Sequence, residues 1–183
     1  MPDIPNLASF SVPHGRVTAT RTHAAQYACG MKPSLRFAVT HVIPARNKDV
    51  WRVLEDFGAE HRWTTSVRWC TRDTADVRVG TVRTCQLPRP LMGRSKVREE
   101  VTELEPGRVL AYSLDGTAGP FASASSRWST VTTAGDATAV TVQGTFAPKN
   151  AAVPVVVWPF AKPMLQRLTR HVLRELEVFL RSR

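Results

Sequence analysis

The sequence predicts one α+β domain in which a curved antiparallel sheet wraps around a long C-terminal helix. Three observations predict this architecture. Strand-like stretches joined by hairpin-length turns fill the middle of the chain, two short helical segments follow the first strand, and apolar residues recur at helical spacing near the C-terminus. A helix with one apolar face has to bury that face, and the apolar face of the sheet is available for this.

The first strand and two short helices are predicted at the start of the domain. Leu35–Ile43 is rich in β-branched and aromatic residues, which is typical of a strand. Pro44 opens a short helix whose apolar residues recur at helical spacing, and Gly58 ends it. A second helical turn is expected to run towards Trp63.

The middle of the chain is predicted to form an antiparallel meander. Its breaks carry turn-forming residues, as at Glu105, Pro106 and Gly107. The strand-like stretches are Val67–Thr71, Val77–Leu87, Lys96–Glu103, Val109–Leu114, Ser125–Thr132 and Ala139–Phe146.

One long helix is predicted at the C-terminus. Its apolar residues recur at spacings of three and four, which places them on one face. They are Ala161, Leu165, Leu168, Val172, Leu176 and Phe179. We expect Leu168 and Val172 to pack against the sheet. Pro159 and Pro163 suit a first turn or a kink of this helix.

Residues 1–34 show no sustained apolar period and are predicted to be a poorly ordered extension of a domain at residues 35–183. One interpretation is that Met31 is the natural start and that residues 1–30 lie upstream of it. A transit peptide is the alternative, against which the prolines of the segment argue. A chain that begins at Met31 is expected to keep its thermal stability.

Charge and hydropathy exclude several classes of protein. The chain of 183 residues carries a net charge of +10, but the basic residues are spread out and form no cluster with aromatic residues. We therefore expect no specific nucleic-acid partner and only weak affinity for anionic surfaces. No apolar run approaches the roughly 20 residues that span a membrane, and no transmembrane segment is predicted.

The cysteines argue against a disulfide scaffold. Cys29, Cys70 and Cys85 are odd in number and widely spaced, and neither a CxxC pair nor zinc-finger spacing occurs. A reducing compartment is the simplest interpretation, so we predict a cytoplasmic protein without a bound metal.

Several short tracts follow one another in an order and spacing that is fairly specific. They are Val42 to Ala45 with Val50 and Trp51, Asp56 with Trp63, Val79 and Gly80 with Arg83, Val97 to Glu99 with Val101, Leu110 to Leu114, and Ala134 to Thr138 with Val140 and Phe146. Together they resemble the START-like superfamily, also called SRPBCC proteins, and in particular its polyketide cyclase/dehydrase branch. The resemblance covers about residues 37–183.

This resemblance implies a helix-grip fold with a ligand cavity between the sheet and the terminal helix. Members of the superfamily include lipid carriers, plant hormone receptors and aromatase/cyclases. One position departs from the pattern: the family often has Pro two residues after the residue equivalent to Trp63, where this chain has Thr65. The resemblance places that position at the cavity mouth. The shape of the ligands that family members bind therefore cannot be carried over to this chain.

Strand alternation selects the side chains that face the predicted cavity. A hairpin centred near residue 91 places Arg83 opposite Glu99, and the next hairpin places Val101 opposite Tyr112. Continuing the meander puts Trp128 beside Tyr112. The resulting face is mostly apolar with a few polar groups, which is typical of a small-molecule site.

Nine residues are the candidates for ligand binding. They are Trp63, Arg83, Glu99, Tyr112, Trp128, Val142, Phe146, Met164 and Leu168. Arg83 and Glu99 also suit a structural cross-strand pair, the role we favour for them. Tyr112 and Trp128 suit a core or a ligand wall equally, whereas Trp63 is favoured as core or lid packing.

Two functions remain open. The first is the binding of an apolar molecule such as a lipid, a polyketide or an aromatic metabolite. The second is a polyketide cyclase/dehydratase-type enzyme that uses general acid/base catalysis, with Glu99, Tyr112 and Arg83 as candidate catalytic residues. The sequence contains no nucleophile elbow, phosphate loop, dinucleotide fingerprint or metal-ligand pair, so no cofactor is expected. The sequence does not indicate an oligomeric state.

Overall fold

The computed structural model describes residues 34–91, 94–115 and 120–183, and they form one antiparallel sheet with two α-helices. The strands are β1 (Leu35–Ile43), β2 (Trp69–Arg72), β3 (Val82–Leu91), β4 (Arg94–Glu105), β5 (Val109–Asp115), β6 (Phe121–Thr132) and β7 (Thr138–Pro148). The helices are α1 (Asn47–Glu55) and α2 (Trp158–Arg181), with 3₁₀ turns at Glu60–Arg62 and Ala134–Asp136 and a π-helical turn at Val153–Val157. The predicted extension lies outside the described residues except for Ser34, and so does Met31.

The sheet is a meander from β2 to β7, and β1 forms the edge strand beside β7. Its strand order is β1-β7-β6-β5-β4-β3-β2, and every neighbouring pair is antiparallel. Turns bring the consecutive strands β2 to β7 side by side, whereas β1 pairs with β7, the strand most distant from it in the sequence. The predicted α+β class, with a curved sheet around a long C-terminal helix, is confirmed. None of the helices in the described ranges has the length and apolar character needed to cross a membrane.

The core lies between the concave face of the sheet and the helices. Inward residues of β1 alternate with exposed ones, and α1 buries four apolar residues in one stretch, as its helical spacing predicts. Along α2 the buried apolar residues are Ala161, Leu165, Leu173 and Leu176. These side chains hold the helix against the sheet.

The buried face of α2 differs in part from the predicted face. Leu168 is 40% exposed, whereas Leu173, which the spacing argument left out, is fully buried. Val172 is partly buried, and it packs against the core as predicted. Spacings of three and four fit two neighbouring faces of one helix equally well. The predicted face therefore shares Ala161, Leu165 and Leu176 with the buried face, but it includes Leu168 where the structure buries Leu173.

The strand β3 begins five residues later than predicted. Gly80 has a φ of +87°, a conformation that favours glycine, and Thr81 N donates to Arg78 O over 2.9 Å to close a turn. Val79 is 60% exposed in that turn and faces no cavity. The sequence pattern did not indicate this turn, because the apolar residues alternate without interruption through it.

Cys70 and Cys85 form a disulfide, contrary to the prediction of unpaired cysteines. They are directly opposite each other in the β2–β3 register. The sequence separation of 15 residues does not reveal this pairing, because it depends on which residues the intervening loop brings together. The argument for a reducing compartment therefore loses its basis.

Candidate functional site

A cavity of about 190 Å³ lies between the concave face of the sheet and the middle of α2. Its walls come from β1, β4 to β7 and one side of the helix. The lining residues are Phe37, Glu99, Tyr112, Leu114, Ser125, Ser126, Trp128, Val142, Gly144, Phe146, Leu168, Thr169 and Val172. Six of the nine candidate ligand-binding residues are among them: Glu99, Tyr112, Trp128, Val142, Phe146 and Leu168.

The predicted pairing of Arg83 with Glu99 is present. The two residues are opposite each other in the β3–β4 register, and Arg83 Nε donates to Glu99 Oε2 over 2.5 Å. Both residues are buried, on the inner face of the sheet. Arg83 does not line the cavity itself; it lies behind Glu99 and fixes the carboxylate at the cavity wall.

A second carboxylate joins this pair. Arg83 Nη1 lies 2.5 Å from Glu60 Oε1 on the 3₁₀ turn after α1. The guanidinium also lies over the Phe57 ring, 3.9 Å from its centroid, and 5.0 Å from the centroid of Tyr112. The cation is thus enclosed by two carboxylates and two aromatic rings.

Two aromatic side chains at the cavity wall, Tyr112 and Trp128, are joined by a hydrogen bond. Trp128 Nε1 donates to the Tyr112 hydroxyl over 3.1 Å. Tyr112 pairs with Ser126 in the β5–β6 register, so Trp128 stands diagonally beside it and opposite Val142 on β7. This hydrogen bond satisfies the polar atom of a buried indole and orients the phenol at the cavity wall.

The charges of this cluster shift the pKa values of its members. Burial by itself would lower the pKa of Arg83, but the negative charges of Glu60 and Glu99 outweigh it and raise that pKa. Burial raises the pKa of Glu99, and the charge of Glu60 adds to the effect against the opposing charge of Arg83. Burial also raises the pKa of the Tyr112 hydroxyl. One cation is shared by two carboxylates, so Arg83 offsets only part of the effect of burial on the pKa of Glu99.

Three candidate residues lie outside the cavity. Arg83 is behind it, and Met164 is 52% exposed on the outer side of α2. Trp63 lines a separate groove of about 580 Å³, together with His61 and the C-terminal half of α2. The predicted cavity mouth near Trp63 and Thr65 therefore borders this groove, whereas the cavity lies nearer the middle of the helix.

Thr65 helps to attach the segment after Trp63 to α2. Its hydroxyl donates to Glu175 Oε1 over 2.6 Å, and the Thr64 hydroxyl donates to Glu175 Oε2 over 2.6 Å. These bonds lower the pKa of Glu175, although burial alone would raise it. They attach the segment after Trp63 to α2. At position 65, where the resemblance led us to expect Pro, this chain has a hydrogen-bond donor to the helix.

Glu60 is the residue that sequence reasoning missed. It lies on a single 3₁₀ turn, Glu60–Arg62, which has no repeating period. Its pairing with Arg83 joins residues 23 positions apart through a tertiary contact. The sequence did contain one indication of a further acidic partner: Arg83 was predicted to be paired with only one acid, and a buried cation needs additional partners.

One group of possible metal ligands occurs in the described ranges. It consists of Glu60, Cys70 and Cys85, whose ligand atoms lie within 4.8 Å of one another. The two sulfur atoms are bonded to each other, so they are not thiolate ligands. This group does not offer a metal site in the oxidised protein.

Comparison with known proteins agrees with the geometry. The family described as polyketide cyclase / dehydrase and lipid transport matches residues 34–178. A START superfamily protein from Mycobacterium smegmatis superposes with a TM-score of 0.64 at 17% identity, over 80% of this chain and 97% of that one. The crystal structure of Ara h 8.0201 superposes with a TM-score of 0.66 at 12% identity, over 82% of this chain and 100% of that one. Among curated proteins, none matches this sequence. The family match spans most of the domain, and the chain belongs to the polyketide cyclase / dehydrase and lipid transport family.

Proposed function

We propose that this protein binds a compact apolar molecule in the cavity under α2 and holds one polar group of that molecule at Glu99 and Tyr112. Membership of the family supports binding of hydrophobic ligands in general. The observation that carries the specific proposal is the composition of the cavity wall: aromatic and aliphatic side chains form most of it, and the buried polar residues Glu99 and Tyr112 both contact Arg83.

The volume limits the class of ligand. A cavity of about 190 Å³ is smaller than the range of about 300 Å³ and above that drug-sized ligands occupy. A small aromatic metabolite or a short polyketide fragment suits this space better than an intact two-chain lipid. The ligand oxygen is expected to accept from the Tyr112 hydroxyl.

Native mass spectrometry of the purified protein tests this proposal, because it detects a small molecule that stays bound. The cavity-filling variant Thr169→Phe should lose that molecule, since Thr169 lines the cavity. Arg170→Phe adds the same ring to the exposed neighbouring position and should keep it. Equal retention by both variants would contradict the assignment of the cavity.

A second candidate function is catalysis of the cyclase or dehydratase type at the same place. The observation that favours it is the buried carboxyl of Glu99 at the cavity wall, with its raised pKa and the Tyr112 hydroxyl on the neighbouring strand. A carboxyl group whose pKa is raised by burial is suited to general acid catalysis. With an accepted substrate, Glu99→Gln should bind it and turn it over at least about 100-fold more slowly. If the wild type binds the substrate but does not turn it over, catalysis is contradicted and only the binding function is supported.

A further inference from the structure

An exposed apolar stripe runs from the π-helical turn Val153–Val157 into the first turns of α2, away from the buried face of the helix. It consists of Val155, Val156, Phe160 and Met164, which are 74%, 62%, 78% and 52% exposed. Val156, Phe160 and Met164 follow one another at intervals of four, so they lie on one side of the helical segment. A continuous exposed patch that includes an aromatic ring is uncommon on a monomeric protein and marks an interaction surface.

The charges around this stripe have one sign. Between Asp136 and Glu175 the sequence contains no acidic residue, but it contains Lys149, Lys162, Arg167, Arg170 and Arg174. Within the described part of the chain, none of these five forms an ion pair. Arg167 and Arg174 continue the outer side of α2 beyond Met164. The apolar stripe therefore leads into a run of unpaired positive charge.

We propose that this end of α2 docks on an anionic phospholipid bilayer. The apolar stripe enters the headgroup region, and the arginines beyond it contact lipid phosphates and carboxylates. Shallow insertion by a few exposed apolar residues requires no shaped partner surface. This partner also supplies negative charge in a continuous layer, which matches basic residues that form no ion pair within the described part of the chain.

A second copy of this chain fits the surface less well. Two copies packed stripe to stripe would place the arginines that follow Met164 at the border of the interface, and residues 137–174 supply no acidic side chain to pair with them. Four side chains also bury far less than the roughly 800 Å² per partner of a stable protein interface.

The docking surface adjoins the proposed ligand cavity. Trp158, which follows the π-helical turn, contacts Phe146 with a centroid distance of 5.7 Å, and Phe146 lines the cavity. Leu168 lines the cavity and is 40% exposed. An apolar ligand would pass between bilayer and cavity over a short path. This last step rests on the proposed function, whereas docking itself does not.

Co-flotation of the full chain with lipid vesicles tests the proposal. Vesicles of phosphatidylcholine alone are compared with vesicles that also contain phosphatidylserine, without any added small molecule. We expect binding to the anionic vesicles only. Val156→Ser with Phe160→Ser should reduce the bound fraction at least tenfold. Arg167→Gln with Arg170→Gln should weaken the partition about fivefold per charge removed.

A matched control separates insertion from general attraction by the net charge of +10. Val131→Ser removes a 63% exposed apolar side chain from the end of β6 and should leave binding unchanged. Three results would overturn the proposal: no binding to anionic vesicles, binding that Val156→Ser with Phe160→Ser leaves unchanged, or a dimer in sedimentation velocity that the same pair of substitutions dissociates. If Thr169→Phe left the binding of a small molecule unchanged, that result would contradict the proposed function but not the docking of α2 on a bilayer.

Discussion

Arg83 Nε lies 2.5 Å from Glu99 Oε2, and both side chains are buried on the inner face of the sheet. The same guanidinium lies 2.5 Å from Glu60 Oε1. A buried charge is tolerated only when its partners replace the water it has lost. The cluster therefore depends on all three residues, and removing the cation leaves both carboxylates without their shared partner.

Arg83→Met should destabilise the protein by about 3–5 kcal/mol, because it leaves an uncompensated buried carboxylate at Glu99. The double variant Arg83→Met with Glu99→Leu should cost less, since the remaining Glu60 can turn towards solvent. The measurement is urea unfolding followed by circular dichroism.

The control for this comparison lies on the same strand as Glu99. Arg98 pairs with Asp115 over 2.8 Å, but both side chains are about half exposed or more. Arg98→Met should therefore change the free energy of unfolding by about 1 kcal/mol or less. If Arg83→Met costs no more than Arg98→Met, the buried cluster does not carry the stability assigned to it.

The raised pKa of Glu99 makes a pH-dependent prediction. The folded protein binds this proton more tightly than the unfolded chain, so stability from Glu99 falls as pH rises from its ordinary value near 4.5 through the raised folded value. Glu99→Gln cannot ionise, so its stability relative to the wild type should increase with pH across that window. Urea unfolding at a series of pH values measures the difference.

A control of opposite sign is available on β4. The hydrogen bond from Arg127 lowers the pKa of Glu103, which therefore stabilises the fold above its ordinary pKa and loses this contribution as pH falls. Relative to the wild type, Glu103→Gln should lose stability as pH rises, by a smaller amount because Glu103 is screened by solvent. Parallel profiles for the two variants would contradict the assignment for Glu99.

The sequence predicted those features that local patterns determine. The bounds of β1 agree with the structure, and turn chemistry together with strand alternation was enough to place Arg83 opposite Glu99. A slip of one residue would have put Glu99 on the other face, so this register was strongly specified.

Features that depend on tertiary contacts were not predictable in this way. Glu60 reaches Arg83 from a turn without periodicity, and Cys70 meets Cys85 through a loop whose course the sequence does not reveal. The rotation of α2 depends on where the curved sheet leaves a cavity, and Leu168 lies over that cavity instead of in the core.

The disulfide predicts a count of reactive thiols. Protein purified without reductant and then denatured should show one reactive thiol per chain, at Cys29, and three after reduction. Reduction should cost about 3 kcal/mol, the value expected for opening a loop of some 15 residues. Cys29→Ser should show no reactive thiol before reduction. Three thiols in the unreduced protein would restore the expectation of a reducing compartment.

The two leucines of α2 provide the last prediction, because they carry the same substitution five residues apart on one helix. Leu173 is fully buried, so Leu173→Ala should cost about 2–5 kcal/mol through lost burial and the space left behind. Leu168 is 40% exposed over the cavity, so Leu168→Ala should cost about 0.5 kcal/mol or less, as surface substitutions do. Thermal and urea unfolding of both variants measure the difference. Helix propensity cannot produce it, since both variants replace Leu by Ala within the same helix. A larger cost at Leu168 than at Leu173 would restore the face indicated by the apolar spacing and would place the cavity on the wrong side of α2.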